Sequence, residues 1–238
     1  MPLKLMYITN SEDVAHIAEE AGVDRIFVDM EYIGKTDRQG GMDTVQSRHT
    51  ADDVRRLAQC LNKSELFVRV NPIHEKTDKY SSSKEEIDEV IEAGADLLML
   101  PYFKTAEEVQ TFVKYVDGRA KTVLLVETPE AAAIAENLVK IPGIDEMFIG
   151  LNDLSLGYGK NFMFELLLDG TVEELCLKFQ KRRNSLWVRR NCFVRKRNAS
   201  FGICDQRTLS SWFYMCDFVT EFLQDRSSDR FKRNPEDF

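Results

Sequence analysis

The first three-quarters of the chain consist of short apolar runs, each followed by a segment with helical periodicity. The apolar runs show no strict polar alternation, which is typical of strands buried on both faces. Helices should begin at capping residues such as Thr50 and Thr105 and end at glycines such as Gly94 and Gly118. The pattern predicts six strands, at 4–9, 25–29, 66–70, 97–100, 122–126 and 146–149.

Helices are predicted between and after these strands, at 51–62, 83–93, 106–116 and 129–141, with an earlier one opening near Ser11. The periodicity of that first helix predicts a buried face formed by Val14, Ile17, Ala18 and Ala21.

Alternating strands and helices predict an α/β fold with a parallel sheet and right-handed crossovers. Units of about 25–35 residues fit a (β/α)8 barrel or a doubly wound sheet. A dinucleotide-binding fold is the weaker choice because no Gly-x-Gly-x-x-Gly motif follows the first strand, and no phosphate-binding Walker loop is present. We therefore predict a (β/α)8 TIM barrel that is incomplete, with six units in the expected pattern and strands seven and eight lost or replaced.

Composition divides the chain near residue 181. Residues 1–181 have a net charge of −13, whereas residues 182–238 have a net charge of +5 and hold both tryptophans but only one of the 12 glycines. We predict a partial barrel domain over 1–181, and an irregular basic tail over 182–238.

Whole-chain properties exclude several classes of protein. The formal net charge of −8 argues against nucleic-acid binding, and no apolar run is long enough to span a bilayer. The N-terminus has no secretory leader pattern, so we expect a cytoplasmic protein. Five cysteines without a Cys-x-x-Cys pair indicate neither a disulfide framework nor a zinc site.

Polar groups stand where the predicted strands end, which is where (β/α)8 barrels place their chemistry. A single such group is more often a helix cap or a solvated loop residue, but several at one mouth favour a site. Glu127 and Asp153 end neighbouring strands and could share a cation. Two carboxylates, water and a substrate oxygen suit Mg²⁺, with Mn²⁺ as an alternative. Arg69 could grip a substrate carboxylate or an enolate oxygen.

Five segments resemble the HpcH/HpaI aldolase/citrate lyase family: VDME at 28–31, FVRVN at 67–71, GADLLMLP at 94–101, LVETPEA at 125–131 and IGLNDLS at 149–155. The resemblance implies a TIM barrel that binds a divalent metal (Mg²⁺, Mn²⁺ or Co²⁺) through Glu127 and Asp153. It implies that Arg69 stabilises a pyruvate-type enolate. It also implies that the loop from Gly150 through Asn152 to Asp153 helps to bind the substrate carboxylate with backbone N–H groups.

The chain departs from the family pattern after the second strand. Tyr32 stands where the aldolase branch has a catalytic His, so Tyr32, His49 or a metal-bound water is the candidate acid/base. His49 could equally be a loop residue before a helix. The implied activity is metal-dependent carbon–carbon cleavage of a small 2-oxo or hydroxy acid through a pyruvate-like enolate, by a homo-oligomer. An acyl-CoA lyase of the citrate lyase beta branch is the alternative. Phosphoenolpyruvate mutase-like chemistry has only Asp29 and Glu31 in its favour.

The tail has two explanations. The codons for Lys181 to Trp187 can be chosen so that the same bases, read one position later, give Lys-Gly-Gly-Ile-Pro-Tyr. Permitted codons then continue this frame as a Gly-rich run and an apolar run, as the two missing strands would require. This favours a slipped reading frame and a catalytically impaired product. The alternative is a basic extension that binds RNA or an acidic partner through its arginines and interleaved aromatics.

Overall fold

A computed structural model describes residues 4–35 and 47–180. The strands of this part are β1 (Met6–Ile8), β2 (Arg25–Asp29), β3 (Glu65–Arg69), β4 (Leu97–Leu100), β5 (Lys121–Val126) and β6 (Glu146–Ile149). Its helices are α1 (Glu12–Glu20), α2 (Ala51–Cys60), α3 (Ser83–Glu92), α4 (Ala106–Val116), α5 (Pro129–Ala133), α6 (Ala135–Leu138), α7 (Leu151–Gly157), α8 (Glu165–Leu168) and α9 (Thr171–Gln180).

All strand pairs are parallel, and the strands lie in the sheet in the order in which they occur along the chain. This confirms the six predicted strands. Thr50 and Thr105 cap α2 and α4 with reciprocal capping boxes, as their positions predict. The predicted helix at 129–141 is instead two short helices, α5 and α6, which meet at Ile134.

The sheet is strongly curled. Arg25 at the start of β2 donates hydrogen bonds of 2.8 and 2.7 Å to the carboxylate of Glu146 at the start of β6. Four strand spacings separate these positions, which is about 19 Å in a flat sheet and beyond the reach of one side chain. Phe67 of β3 and Phe148 of β6 also meet, with ring centroids 5.9 Å apart. The six strands therefore form a curled half-barrel.

The two faces of the sheet pack differently. On the concave face, an apolar layer fills the interior of the half-barrel; it consists of Phe27, Phe67, Leu97, Met99, Val123, Leu125 and Phe148. Intervening residues such as Ile26, Val68 and Leu124 point outward and pack against the helices. Because side chains alternate along a strand, residues two positions before and after the apolar layer also point into the half-barrel. That alternation places charged residues at both ends of the interior.

The half-barrel of six strands is consistent with the predicted incomplete (β/α)8 barrel. A closed barrel of eight strands is not shown. Within the described residues, β1 and β6 are the edges of the sheet. The predicted tail at 182–238 lies outside the described residues, so its nature stays a prediction.

The predicted inner face of α1 is wrong at Ile17, which is 67% exposed, and at Ala21, which is also exposed; Ala18 is buried as predicted. Glu19 lies inward instead. Its carboxylate accepts three backbone N–H groups at 2.6–2.9 Å, those of Asn62, Lys63 and Ser64.

No helix within residues 4–35 and 47–180 has both the length and the apolar character needed to cross a membrane.

Candidate functional site

Charged side chains meet at the edge of the half-barrel where the strands end. Asp29 is the last residue of β2, and Glu31 follows two positions later on the same side. Arg69 is the last residue of β3, and Glu127 directly follows β5. Asp153 lies in the first turn of α7, which follows β6. The fold thus brings groups from four strand ends to one mouth.

Arg69 is held by two carboxylates. Its Nε and Nη2 atoms donate to the two oxygens of Asp29, each at 2.8 Å, and its Nη1 lies 3.4 Å from Oε2 of Glu31. Burial disfavours the charge on Asp29, but Arg69 and Lys35 outweigh it and hold the pKa of Asp29 well below its usual range. The bidentate contact fixes the plane of the guanidinium, which a lysine could not reproduce.

Glu127 has the opposite electrostatic environment. Its side chain is buried, and its pKa is raised well above the usual range by burial, then by the nearby charges of Glu31 and Asp153, with Arg69 opposing. Its Oε1 accepts the backbone N–H of Tyr102 at 2.9 Å. Tyr102 has a φ of 48°, so its backbone is strained at the point where it holds Glu127.

Gly150 makes room for Glu127. A Cβ atom on Gly150 would lie 2.7 Å from Cβ of Glu127 and 3.1 Å from its Oε2, which is too close for any side chain. The N–H of Gly150 donates to the carbonyl of Val126 at 3.0 Å. Gly150 itself thus serves close packing, and a carboxylate bound by backbone N–H groups here would need those of the first turn of α7, which lack acceptors within the helix.

Asp153 lies close enough to Glu127 for its charge to raise the pKa of that residue. The Nδ2 of Asn152 donates to Oδ1 of Asp153 at 3.1 Å. Across the described residues, no group of three or more His, Cys, Asp or Glu side chains is arranged to hold a metal ion. Glu127 and Asp153 stay the predicted cation ligands at this mouth, with water or substrate oxygens completing the coordination.

His49 has a restricted role. Its Nδ1 accepts the backbone N–H of Asp29 at 3.0 Å, so the ring proton of the neutral imidazole is on Nε2. Burial is the largest influence on His49 and lowers its pKa, despite the charges of Asp29 and Asp53. A neutral ring whose lone pair is already used can donate a hydrogen bond but cannot accept a proton without breaking the bond to Asp29.

Tyr32 stands on the rim of the mouth, directly after Glu31. It is 40% exposed, and its hydroxyl donates to Oγ1 of Thr77 at 3.3 Å. The Nζ of Lys79 lies 5.1 Å from the centre of its ring. The phenol is therefore partly exposed to solvent.

A family model described as HpcH/HpaI aldolase/citrate lyase matches residues 4–164. The chain belongs to this family. The resemblance noted in the sequence is confirmed. The members of this family are lyases and aldolases.

Solved structures of the HpcH/HpaI family have the same fold. An HpcH/HpaI aldolase from Desulfitobacterium hafniense DCB-2 has a TM-score of 0.58 at 14% identity, over 76% of this chain and 75% of that chain. A family protein from Burkholderia cenocepacia J2315 has a TM-score of 0.56 at 18% identity, over 76% of each. CitE from Mycobacterium tuberculosis, solved with magnesium, acetoacetate and coenzyme A, has a TM-score of 0.54 at 15% identity, over 76% of this chain and 62% of that chain. No protein of curated function matches the sequence.

Sequence reasoning placed Asp29 and Glu31 at the end of the second strand without giving them a role in the lyase site, and it missed Lys35. A signal for the first two existed, because they lie two and four residues beyond Phe27 and so share its inward direction. Lys35 had none: its Nζ reaches Oδ2 of Asp29 at 2.6 Å only after the chain turns at Gly34, which has a φ of 70°.

Proposed function

We propose that this chain is a divalent-metal-dependent carbon–carbon lyase of the aldolase type, which cleaves a 2-oxo or hydroxy acid through a pyruvate-like enolate. One observation carries the proposal: Glu127 is buried among the acidic groups Glu31 and Asp153, beside a fixed Arg69. A buried carboxylate with such neighbours is stable as an anion only if positive charge comes close. Membership in a family of aldolases and lyases indicates which type of reaction this arrangement would catalyse.

The donor set fits a hard divalent cation. Glu127 and Asp153 would hold it, and carboxylate oxygens favour Mg²⁺, with Mn²⁺ or Co²⁺ as alternatives. Gly150 leaves space beside Oε2 of Glu127 that any other side chain would fill. When bound, the cation would supply electrophilic polarisation of the substrate's 2-oxo and carboxylate oxygens.

Arg69 would stabilise the negative charge that develops on the substrate oxygen as the carbon–carbon bond breaks. Its bonds to Asp29 fix it before substrate binds, so no reorganisation is needed during the reaction. The first turn of α7, which holds Asn152 and Asp153, would orient the substrate carboxylate, and Gly150 before it would leave space beside Glu127.

Proton transfer is assigned to Tyr32. The hydroxyl of Tyr32 is exposed at the rim, whereas the lone pair of His49 is occupied by the N–H of Asp29. We assign His49 a hydrogen-bond donor role through Nε2–H. Tyr32→Phe should then lower the rate of proton transfer more than His49→Gln does.

The test is the exchange of pyruvate methyl protons for deuterium, followed by proton NMR with Mg²⁺ or Mn²⁺, because enolisation needs no aldehyde partner. Exchange should depend on the metal and fall at least about 100-fold in Glu127→Gln and in Asp153→Asn. Glu136→Gln, an exposed change on α6, is the matched control. Exchange that survives both site changes would contradict the proposal.

The same assay with acetyl-CoA distinguishes the acyl-CoA lyase alternative. Metal-dependent exchange of the acetyl protons, with none for pyruvate, would favour that branch. We include acetyl-CoA because CitE was solved in complex with coenzyme A.

The composition break after Lys181 is assigned to a slip in the reading frame. Six strands cannot close an eight-stranded barrel, so this chain should be weakly active and the frame-restored chain more active. Sequencing the encoding DNA decides it, since the idea fails if no single-base shift restores two further strands. Absence of exchange in both chains would overturn the lyase proposal.

A cytoplasmic location and a homo-oligomeric state stay predictions.

A further inference from the structure

A chain of buried polar residues holds the segment that follows Glu31. The side-chain oxygen of Asn71, just beyond β3, accepts the backbone N–H groups of Tyr32 at 2.9 Å and of Ile33 at 3.1 Å. One amide side chain thus fixes two consecutive peptide groups at the mouth.

Asn71 is in turn held by Glu86 of α3. Oε1 of Glu86 accepts both the backbone N–H of Asn71 at 3.1 Å and its side-chain N–H at 2.8 Å. Both residues are only 1% exposed. Because the amide group donates to Glu86, its oxygen is directed at the backbone of Tyr32 and Ile33.

His74 supplies the compensating charge. Its Nε2 lies 2.8 Å from Oε2 of Glu86, and its Nδ1 lies 2.6 Å from the carbonyl oxygen of Glu75. The side-chain contact with Glu86 raises the pKa of His74, and as an imidazolium the ring would donate to both of these acceptors. We call His74, Glu86 and Asn71 the buried relay.

The buried relay connects α3 to the mouth. It begins at the contact between His74 and Glu86 and ends at the two peptide groups that directly follow Glu31. The carboxylate of Glu31 contacts Arg69 and lies near Glu127. Burying three polar side chains is unfavourable unless every bond is made, and here the last bonds are made to the mouth rather than to the core. Resting on the proposed function, we propose that Asn71 and Glu86 are positioning residues, which hold Glu31 and Tyr32 in the geometry that the enolisation step requires.

Two readouts separate positioning from a merely structural role. The first is amide hydrogen exchange of the peptide covering residues 30–35, measured by mass spectrometry. The second is the kcat and KM of pyruvate proton exchange with Mn²⁺. Asn71→Ala should speed amide exchange at Tyr32 and Ile33 at least about tenfold and lower kcat about 10- to 100-fold, with a smaller effect on KM. Asn62→Ala, an exposed change in the loop before β3, is the matched control.

A conservative variant guards against simple unfolding. Glu86→Gln keeps an oxygen that accepts both N–H groups of Asn71, and its new amide N–H can donate to Nε2 of a neutral His74, so kcat should stay within about threefold of the parent. Glu86→Ala removes the acceptor and should lower kcat about as much as Asn71→Ala does.

The outcomes are distinct. If the parent chain shows metal-dependent exchange and Asn71→Ala keeps the parent kcat despite faster amide exchange, the relay does not position the site and only this inference falls. A Glu86→Gln variant that loses as much kcat as Glu86→Ala would overturn it as well. If neither the parent chain nor the frame-restored chain shows exchange, the proposed function fails first and this inference fails with it.

Discussion

The two ends of the half-barrel interior carry charged clusters that are built in opposite ways. At the N-terminal ends of the strands, cations surround the carboxylates: Glu65 contacts Lys4, Arg25 and Lys121, and Glu146 contacts Arg25. We call these five residues the basal cluster. At the C-terminal ends, Glu127 faces the acidic groups Glu31 and Asp153 and has Arg69 as its opposing charge.

The pKa directions express the same difference. Burial opposes the charge on Glu65, but its cationic neighbours lower the pKa to about 2. Burial and acidic neighbours together raise the pKa of Glu127 well above its usual range. The two clusters lie on the same strands, and an apolar layer separates them. The sheet therefore does not by itself require an excess of acidic over basic groups at the mouth. The paired cluster serves the fold, whereas the unbalanced one is where we propose that a cation binds.

The largest expected effect is on the basal cluster. Arg25 is fully buried and joins β2 to β6, so Arg25→Met leaves the Glu146 carboxylate uncompensated. The free energy of unfolding should fall by about 3 kcal/mol or more, measured by urea denaturation. Arg55→Met, which removes an exposed pair with Asp52 on α2, should change it by less than about 0.5 kcal/mol. Equal losses in the two variants would refute the structural role of Arg25.

Acid should weaken the basal cluster next. Because the folded-state pKa of Glu65 lies below its unfolded value, its contribution is complete above about pH 4.5 and is lost as the pH falls towards about 2. The loss should be on the order of 2 kcal/mol, allowing for solvent screening. Glu65→Gln should flatten stability over this range when unfolding is followed against pH. An unchanged profile would count against the pairing.

Removing a carboxylate from the mouth should not lower the free energy of unfolding. Glu127→Gln keeps an acceptor for the N–H of Tyr102 and removes a carboxylate from an acidic site. Without metal, the free energy of unfolding should be unchanged or rise by about 1 kcal/mol. Denaturation in the presence of a chelator measures it. A loss as large as that of Arg25→Met would erase the contrast between the two ends.

The smallest effect is expected on α1. Ile17 is mostly exposed, so Ile17→Lys should change stability by less than about 0.5 kcal/mol. A loss of more than about 2 kcal/mol in thermal or urea unfolding would show that Ile17 is buried.

Sequence reasoning predicted the strands well because buried parallel strands are continuous apolar runs, as β4 shows at Leu97–Leu100. It failed at α1, where hydrophobic periodicity placed Ile17 inward. Ile17 is exposed, and the acidic Glu19 lies inward, bound to the loop before β3.

The site divides in the same way. Glu127 and Arg69 could be predicted because they end strands, and ends of parallel strands meet. The hydrogen bond of His49 to Asp29 and the relay through Asn71 and Glu86 could not, because they join residues 15 to 39 positions apart through loops without a periodic signal.

The most direct test of the account is a calorimetric titration of the metal-free chain with Mn²⁺. We predict about one ion per chain, with binding abolished in Glu127→Gln and Asp153→Asn and retained in Glu65→Gln. Binding that is equally strong in Glu127→Gln, or lost only in Glu65→Gln, would contradict the claim that the acidic mouth is the metal site.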